Sequence, residues 1–80
     1  MINIKTREEF IIFLKELLEE YKEHPENWEN KNIKDFFEAM IIYSDSVQQY
    51  YKNTNQFINA DEAQWKVFAD IIKGASIYEI

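Results

Sequence analysis

Eighty residues with no cysteine, one glycine and one proline make one domain, 1–80, and exclude disulfides, Cys-based zinc sites, thiol nucleophiles and an all-β fold with many tight turns. The net charge of −6 at pH 7, with eight acids against four bases in residues 1–30, argues against nucleic acid as a ligand, because phosphates are bound by clustered Lys and Arg. The longest apolar run, Phe10 to Leu14, is far short of the roughly 20 residues of a membrane span.

A chain this short buries only about 60% of the surface that its unfolded form exposes. The aromatic share of 16% offsets this, because each ring buries a large area. The opening Met1 to Glu9 is charged and has no small-residue cleavage site, so it does not read as a signal peptide. The expectation is a soluble, cytoplasmic protein that makes no membrane contact.

Ile2 and Ile4 alternate, which predicts a short extended arm packed on helices, since a lone short strand is not stable by itself. Thr6 and Glu9 have capping-box spacing ahead of an apolar run. They predict a helix over 7–22, with Phe10, Phe13, Leu14, Leu17, Leu18 and Tyr21 in one stripe, widened by Ile11 and Ile12. Its outer face gathers Glu16, Glu19, Glu20 and Glu23. Like charges three and four residues apart repel, and acids at a helix C-terminus oppose its dipole. Pro25 ends this helix by forcing His24 out of helical geometry, and a loop carrying Trp28 follows.

Asn32 with Asp35 predicts the N-cap of a second helix, 33–51. Its apolar positions are Ile33, Phe36, Phe37, Met40, Ile41, Val47 and Tyr51, with a gap at Ser44. The stripe makes this helix the expected wall for the other two. Residues 52–60 have no helical period and read as a loop. A third helix is predicted over 62–78, capped by Asp61 with Gln64 or by Asn59 with Glu62. Trp65, Phe68, Ala69 and Ile72 form its stripe, widened by Val67 and Ile71. Gly74 is read as interior, because Ile72, Ala75 and Tyr78 keep the three-residue step across it. The expected fold is all-α, a compact three-helix domain.

Read together, the segments Trp28-Glu29-Asn30, Ile33-x-x-Phe36-Phe37-Glu38-Ala39, Asp45, Tyr50-Tyr51-x-Asn53-x-Asn55, Trp65-x-x-Phe68-Ala69-Asp70-Ile71 and Tyr78-Glu79 resemble a family of small uncharacterised bacterial proteins, a domain of unknown function. The resemblance spans nearly the whole chain. It implies a bacterial, mostly helical protein and carries no activity with it.

Residues that could do chemistry are sparse. His24 is the one imidazole; a general base needs an oriented partner and zinc needs several ligands, so an exposed helix-terminal His is the simpler reading. Ser44, Asp45 and Ser46 lie mid-helix, without the turn that presents a nucleophile. No enzyme activity, cofactor or metal is expected. The partner-binding candidates are Glu16, Glu19, Glu20 and Glu23 as an acidic face, with Trp28, Tyr50, Tyr51, Asn53 and Asn55 as aromatic and amide anchors. Each has a plain counterpart: acids keep a surface solvated, Trp28 can cap a core, and amides satisfy loop backbone.

The expected function is a small acidic protein-binding module, in its sharper form an immunity or antitoxin-like protein covering a basic site on a partner. The alternative is a self-associating helical subunit, motivated by Ile11, Ile12, Ile42, Val67 and Ile71 beside the core stripes.

Overall fold

The computed structural model describes residues 3–78. Helix α1 spans Arg7–Glu23, α2 Ile33–Asn53 and α3 Trp65–Ile77, with one 3-10 turn at Pro25–Asn27 and no strand among the described residues. The all-α, three-helix expectation holds. Of the N-terminal pair, Ile4 is buried against α1 and α3 in an extended segment, and Ile2 lies outside the described residues.

The first two helices start where their caps place them. Thr6 Oγ1 accepts the Glu9 N–H at 3.1 Å, and Glu9 Oε1 accepts the Thr6 N–H at 3.2 Å and the Lys5 N–H at 2.9 Å. These donors, led by the Lys5 amide, hold the Glu9 carboxyl below the usual range. At α2, Asn32 Oδ1 accepts the Asp35 N–H at 2.8 Å. The helix runs on to Asn53, two residues past the expected Tyr51, and closes on Asn55 at φ 57°. The Gln56 N–H then donates to Tyr51 O at 2.8 Å and the Asn55 N–H to Lys52 O at 3.3 Å, the paired bonds of a left-handed helix stop.

Helix α3 starts at Trp65 rather than 62. Neither expected capping box forms. Asn59 instead accepts from the Asp61 N–H through its side chain and from the Glu62 N–H through its carbonyl, which makes a turn. Gln48 tethers that loop to α2: its Nε2 donates to Ile58 O at 2.9 Å and its Oε1 accepts the Ala60 N–H at 2.8 Å. Gly74 is interior, and the helix continues to Ile77. A side chain at Gly74 would enter the space of the Tyr43 ring, so glycine here lets α2 and α3 approach closely.

The packing corrects one expectation. The wall is α3, not α2: α1 and α2 both lean on α3 rather than on each other. One core cluster joins Ile4, Phe13 and Leu17 to Ala69; the other joins Val47 and Tyr51 to Val67. The extra apolar positions of α3, Val67 and Ile71, therefore serve the α2 side, so α3 is apolar towards both helices that lean on it. Glu20 on α1 reaches Lys73 on α3 at 3.1 Å.

The α2 stripe is corrected as well. Its buried face is Ala39, Val47 and Tyr51, while Ile33, Phe37 and Ile41 are 74%, 57% and 72% exposed. The helical period holds, but those three residues sit to one side of the face that α3 covers, and α1 leans on α3 rather than coming round to cover them.

Candidate functional site

Two concave regions stand out. The first is an apolar groove of about 430 Å³ between the N-terminal half of α2 and the apolar stripe of α1. Leu14, Leu18 and Tyr21 line one wall, Ile33 and Phe36 the other, and Leu17, Trp28 and Ile72 also line it. It exists because two helices rest on a third without closing on each other. Trp28 joins the walls, edge-on to Tyr21 at 5.1 Å and tilted against Phe36 at 5.9 Å. Its Nε1 is buried and has no hydrogen-bond partner among the described residues.

The Trp28 segment is fixed from behind by α3. The Glu29 N–H donates to Ser76 O at 2.8 Å, and buried Asn30 donates through Nδ2 to Ala75 O at 2.8 Å and Tyr78 O at 2.6 Å. The last turn of α3 has no basic residue, so its carbonyls are satisfied by an amide from the α1–α2 loop, which in turn holds the groove in shape.

The second region is a more polar pocket of about 460 Å³ with Tyr43, Tyr50, Gln56, Lys66, Asp70 and Lys73 in its lining. Beneath it, the Tyr51 hydroxyl donates to Asp70 Oδ2 at 2.7 Å, and Lys66 Nζ meets the same oxygen at 2.8 Å. Burial, then the neighbouring Asp70 carboxylate, pushes the Tyr51 phenol far above its ordinary range. Burial likewise raises Tyr43, helped by Tyr50 and Asp70. Both phenols keep their protons at neutral pH, and Tyr51 acts as a donor, not a base. The two lysines are already engaged, Lys66 by Asp70 and Lys73 by Glu20, so the pocket offers little net charge.

A family model described as "Family of unknown function (DUF7660)" matches residues 6–79. The chain belongs to this family. Membership agrees with the resemblance drawn from the sequence and adds no activity. No curated protein and no solved structure matches the chain. Within the family's span lie the groove and every partner-binding candidate.

Those candidates do not gather into one site. Glu16, Glu19 and Glu23 are exposed, but Glu20 is half-buried against Lys73, and Glu19 approaches Lys22 at 3.5 Å. Glu16 and Glu20 border a small hollow with Phe13, Leu17 and Lys73, separate from the groove but sharing Leu17 with it. Trp28 belongs to the groove. Tyr51 is fully buried and presents no surface to a partner. Tyr50 and Asn53 are exposed, with Asn53 Oδ1 accepting from Gln49 Nε2 at 2.8 Å, and Asn55 supplies the left-handed residue that ends α2. His24 is the exposed C-cap of α1, its Nδ1 3.2 Å from Glu26 Oε1. Among the described residues, no three His, Asp or Glu side chains come together to hold a metal, and no helix is long and apolar enough to cross a membrane.

Sequence reasoning missed the groove, because its walls were assigned to the core. No local signal marks it: Leu14, Leu18 and Ile33 keep the same three-and-four spacing whether they face a core or solvent.

Proposed function

We propose that this protein is a small protein-binding module whose docking surface is the apolar groove between α1 and α2, and that it receives an apolar helical segment of another protein. One observation carries the reading: Leu14, Leu18 and Ile33 are exposed yet continuous with the Trp28 and Phe36 side chains of the groove. Connected apolar surface of this kind marks interaction sites, and laying a helix into a groove between helices is a recurring way to bind. The test is capture of partners from the native extract by wild type and by Leu18→Lys. Leu18 is exposed, so the substitution changes folding stability by no more than about 0.5 kcal/mol. Loss of a captured protein supports the groove; equal capture by both overturns it.

A second reading rests on charge. The acids outnumber bases two to one in residues 1–30, and Glu16, Glu19 and Glu23 stand exposed along one side of α1. They would steer a basic partner. An immunity or antitoxin-like role in a bacterial cytoplasm is the sharper form. Its mark is a basic partner lost at high salt and lost on charge reversal at Glu16, Glu19 and Glu23.

A further inference from the structure

The polar pocket between α2 and α3 shares no lining residue with the groove, and docking at the groove leaves it unused. Its volume of about 460 Å³ lies within the roughly 300–1,000 Å³ of small-molecule sites. One charged group of its lining belongs to the interior. Asp70 is 7% exposed, and the Tyr51 hydroxyl and Lys66 Nζ both donate to its Oδ2, at 2.7 and 2.8 Å. The second oxygen, Oδ1, has no recorded partner among the described residues. The buried side-chain atom that lacks a partner there is Trp28 Nε1, so Oδ1 is open to solvent, on a residue that lines the pocket. The carboxylate is held by one oxygen and offers the other as an acceptor.

Lys66 stands beside it. An ammonium has three N–H donors, and Oδ2 takes one of them. The pocket therefore presents an acceptor and a donor next to each other. Two neighbouring hydroxyl groups match that pair: one donates to Oδ1 and the other accepts from Nζ. Tyr43 and Tyr50 add an aromatic wall. Their ring centroids are 6.4 Å apart, the spacing of rings in mutual contact, so a ligand lies against the pair and not between them. The C–H face of a saturated ring is apolar and gains by covering such a wall. Fully charged ligands fit less well. Lys66 neutralises Asp70, and Glu20 neutralises Lys73, so an ionic group taken into the pocket finds no counter-charge to spare.

We propose that this pocket binds a small neutral cyclic polyol, a monosaccharide or cyclitol with adjacent hydroxyls, held by Asp70 Oδ1 and Lys66 Nζ and packed against Tyr43 and Tyr50. At ordinary ligand efficiency a molecule of this size binds with a Kd of about 1 mM.

The test is an NMR titration of the full chain, isotope-labelled on nitrogen, with D-glucose, D-ribose and myo-inositol. L-Glutamate, glycine, inorganic phosphate and putrescine are the charged comparisons. At least one polyol shifts the amides of Tyr50, Gln56, Asp70 and Gly74 and saturates, and the charged probes do not. Tyr50→Ala, at an exposed position, removes part of the wall and weakens binding about tenfold. Asp70→Asn must keep its oxygen towards the Tyr51 and Lys66 donors. That puts an NH2 where Oδ1 stood, a donor in place of an acceptor, and binding falls at least as far. Circular dichroism verifies that both variants are folded; if Asp70→Asn is not, Tyr50→Ala decides alone. Ile12→Glu, on α1 and outside the pocket lining, leaves binding unchanged. Absence of saturable shifts with all three polyols overturns the proposal, as does a stronger response to a charged probe or polyol binding indifferent to Tyr50→Ala. The groove is judged separately, by partner capture with Leu18→Lys.

Discussion

At the scale of single residues, the polar interior is concentrated at Tyr51, Asp70 and Lys66. The carboxylate is buried, and both of its recorded partners share one oxygen. The Lys66 ammonium also lies 5.6 Å from the centre of the Tyr51 ring, where the face of the ring attracts a cation. Hydrogen bonds to charged groups contribute about 1.5–3 kcal/mol each. Tyr51→Phe therefore lowers stability by about 2 kcal/mol near neutral pH, read from urea unfolding. The pH dependence carries a second signature. The Tyr51 phenol is raised in the folded state, so folding keeps a proton that the unfolded chain releases near pH 10. That contribution is complete below pH about 10 and is lost as pH rises beyond it. Tyr51→Phe makes the alkaline decline shallower than in wild type; an unchanged slope would show that the hydroxyl is not held this way.

At the scale of elements, Gly74 and Tyr43 set how closely α2 and α3 approach. An interior glycine costs a helix about 1 kcal/mol relative to alanine. Yet Gly74→Ala destabilises the protein, because the added methyl meets the Tyr43 ring, and overfilling a packed contact costs about 1–3 kcal/mol. In a Tyr43→Ala background the sign reverses, and Gly74→Ala stabilises by about 1 kcal/mol. Thermal unfolding of the four proteins in the cycle checks this. The helix bounds were legible where the signal is local. Thr6 with Glu9 and Asn32 with Asp35 announce α1 and α2 within four residues, and the bonds form as spaced. The start of α3 was not legible, because Asn59, Asp61, Glu62 and Gln64 offer overlapping caps and the choice is made by Gln48, more than ten residues earlier. The capping of α3 by Asn30 was hidden for the same reason, since its partners are 45 and 48 residues away. In the interaction surface, Trp28 and the half-buried Phe36 could be suspected from hydrophobicity. The exposure of Ile33, Phe37 and Ile41 could not, because a period of three and four looks alike whether it faces a core or solvent.

At the scale of the whole molecule, stability is unevenly shared. Helix α3 is covered on two sides, whereas α1 touches it along one face and leaves Ile11, Ile12, Leu14 and Leu18 in water. Regions with fewer buried contacts open first. In native hydrogen exchange, the amides of Ala69 and Asp70 are the slowest, and those on the outer turns of α1 exchange faster. Equal protection in α1 and α3 would contradict this picture.

Because α3 follows α1 and α2 in sequence and supports both, the order of synthesis runs against the order of dependence. A chain emerging from the ribosome presents the apolar faces of α1 and then α2 before the helix that shelters them exists. Domains generally fold as units during synthesis, and exposed apolar surface in the interval favours aggregation. An arrest of translation anywhere before Trp65 would leave two amphipathic segments without a shelter, open to capture by chaperones or proteases. The acids crowded into the first thirty residues keep that unsheltered stretch soluble while it waits.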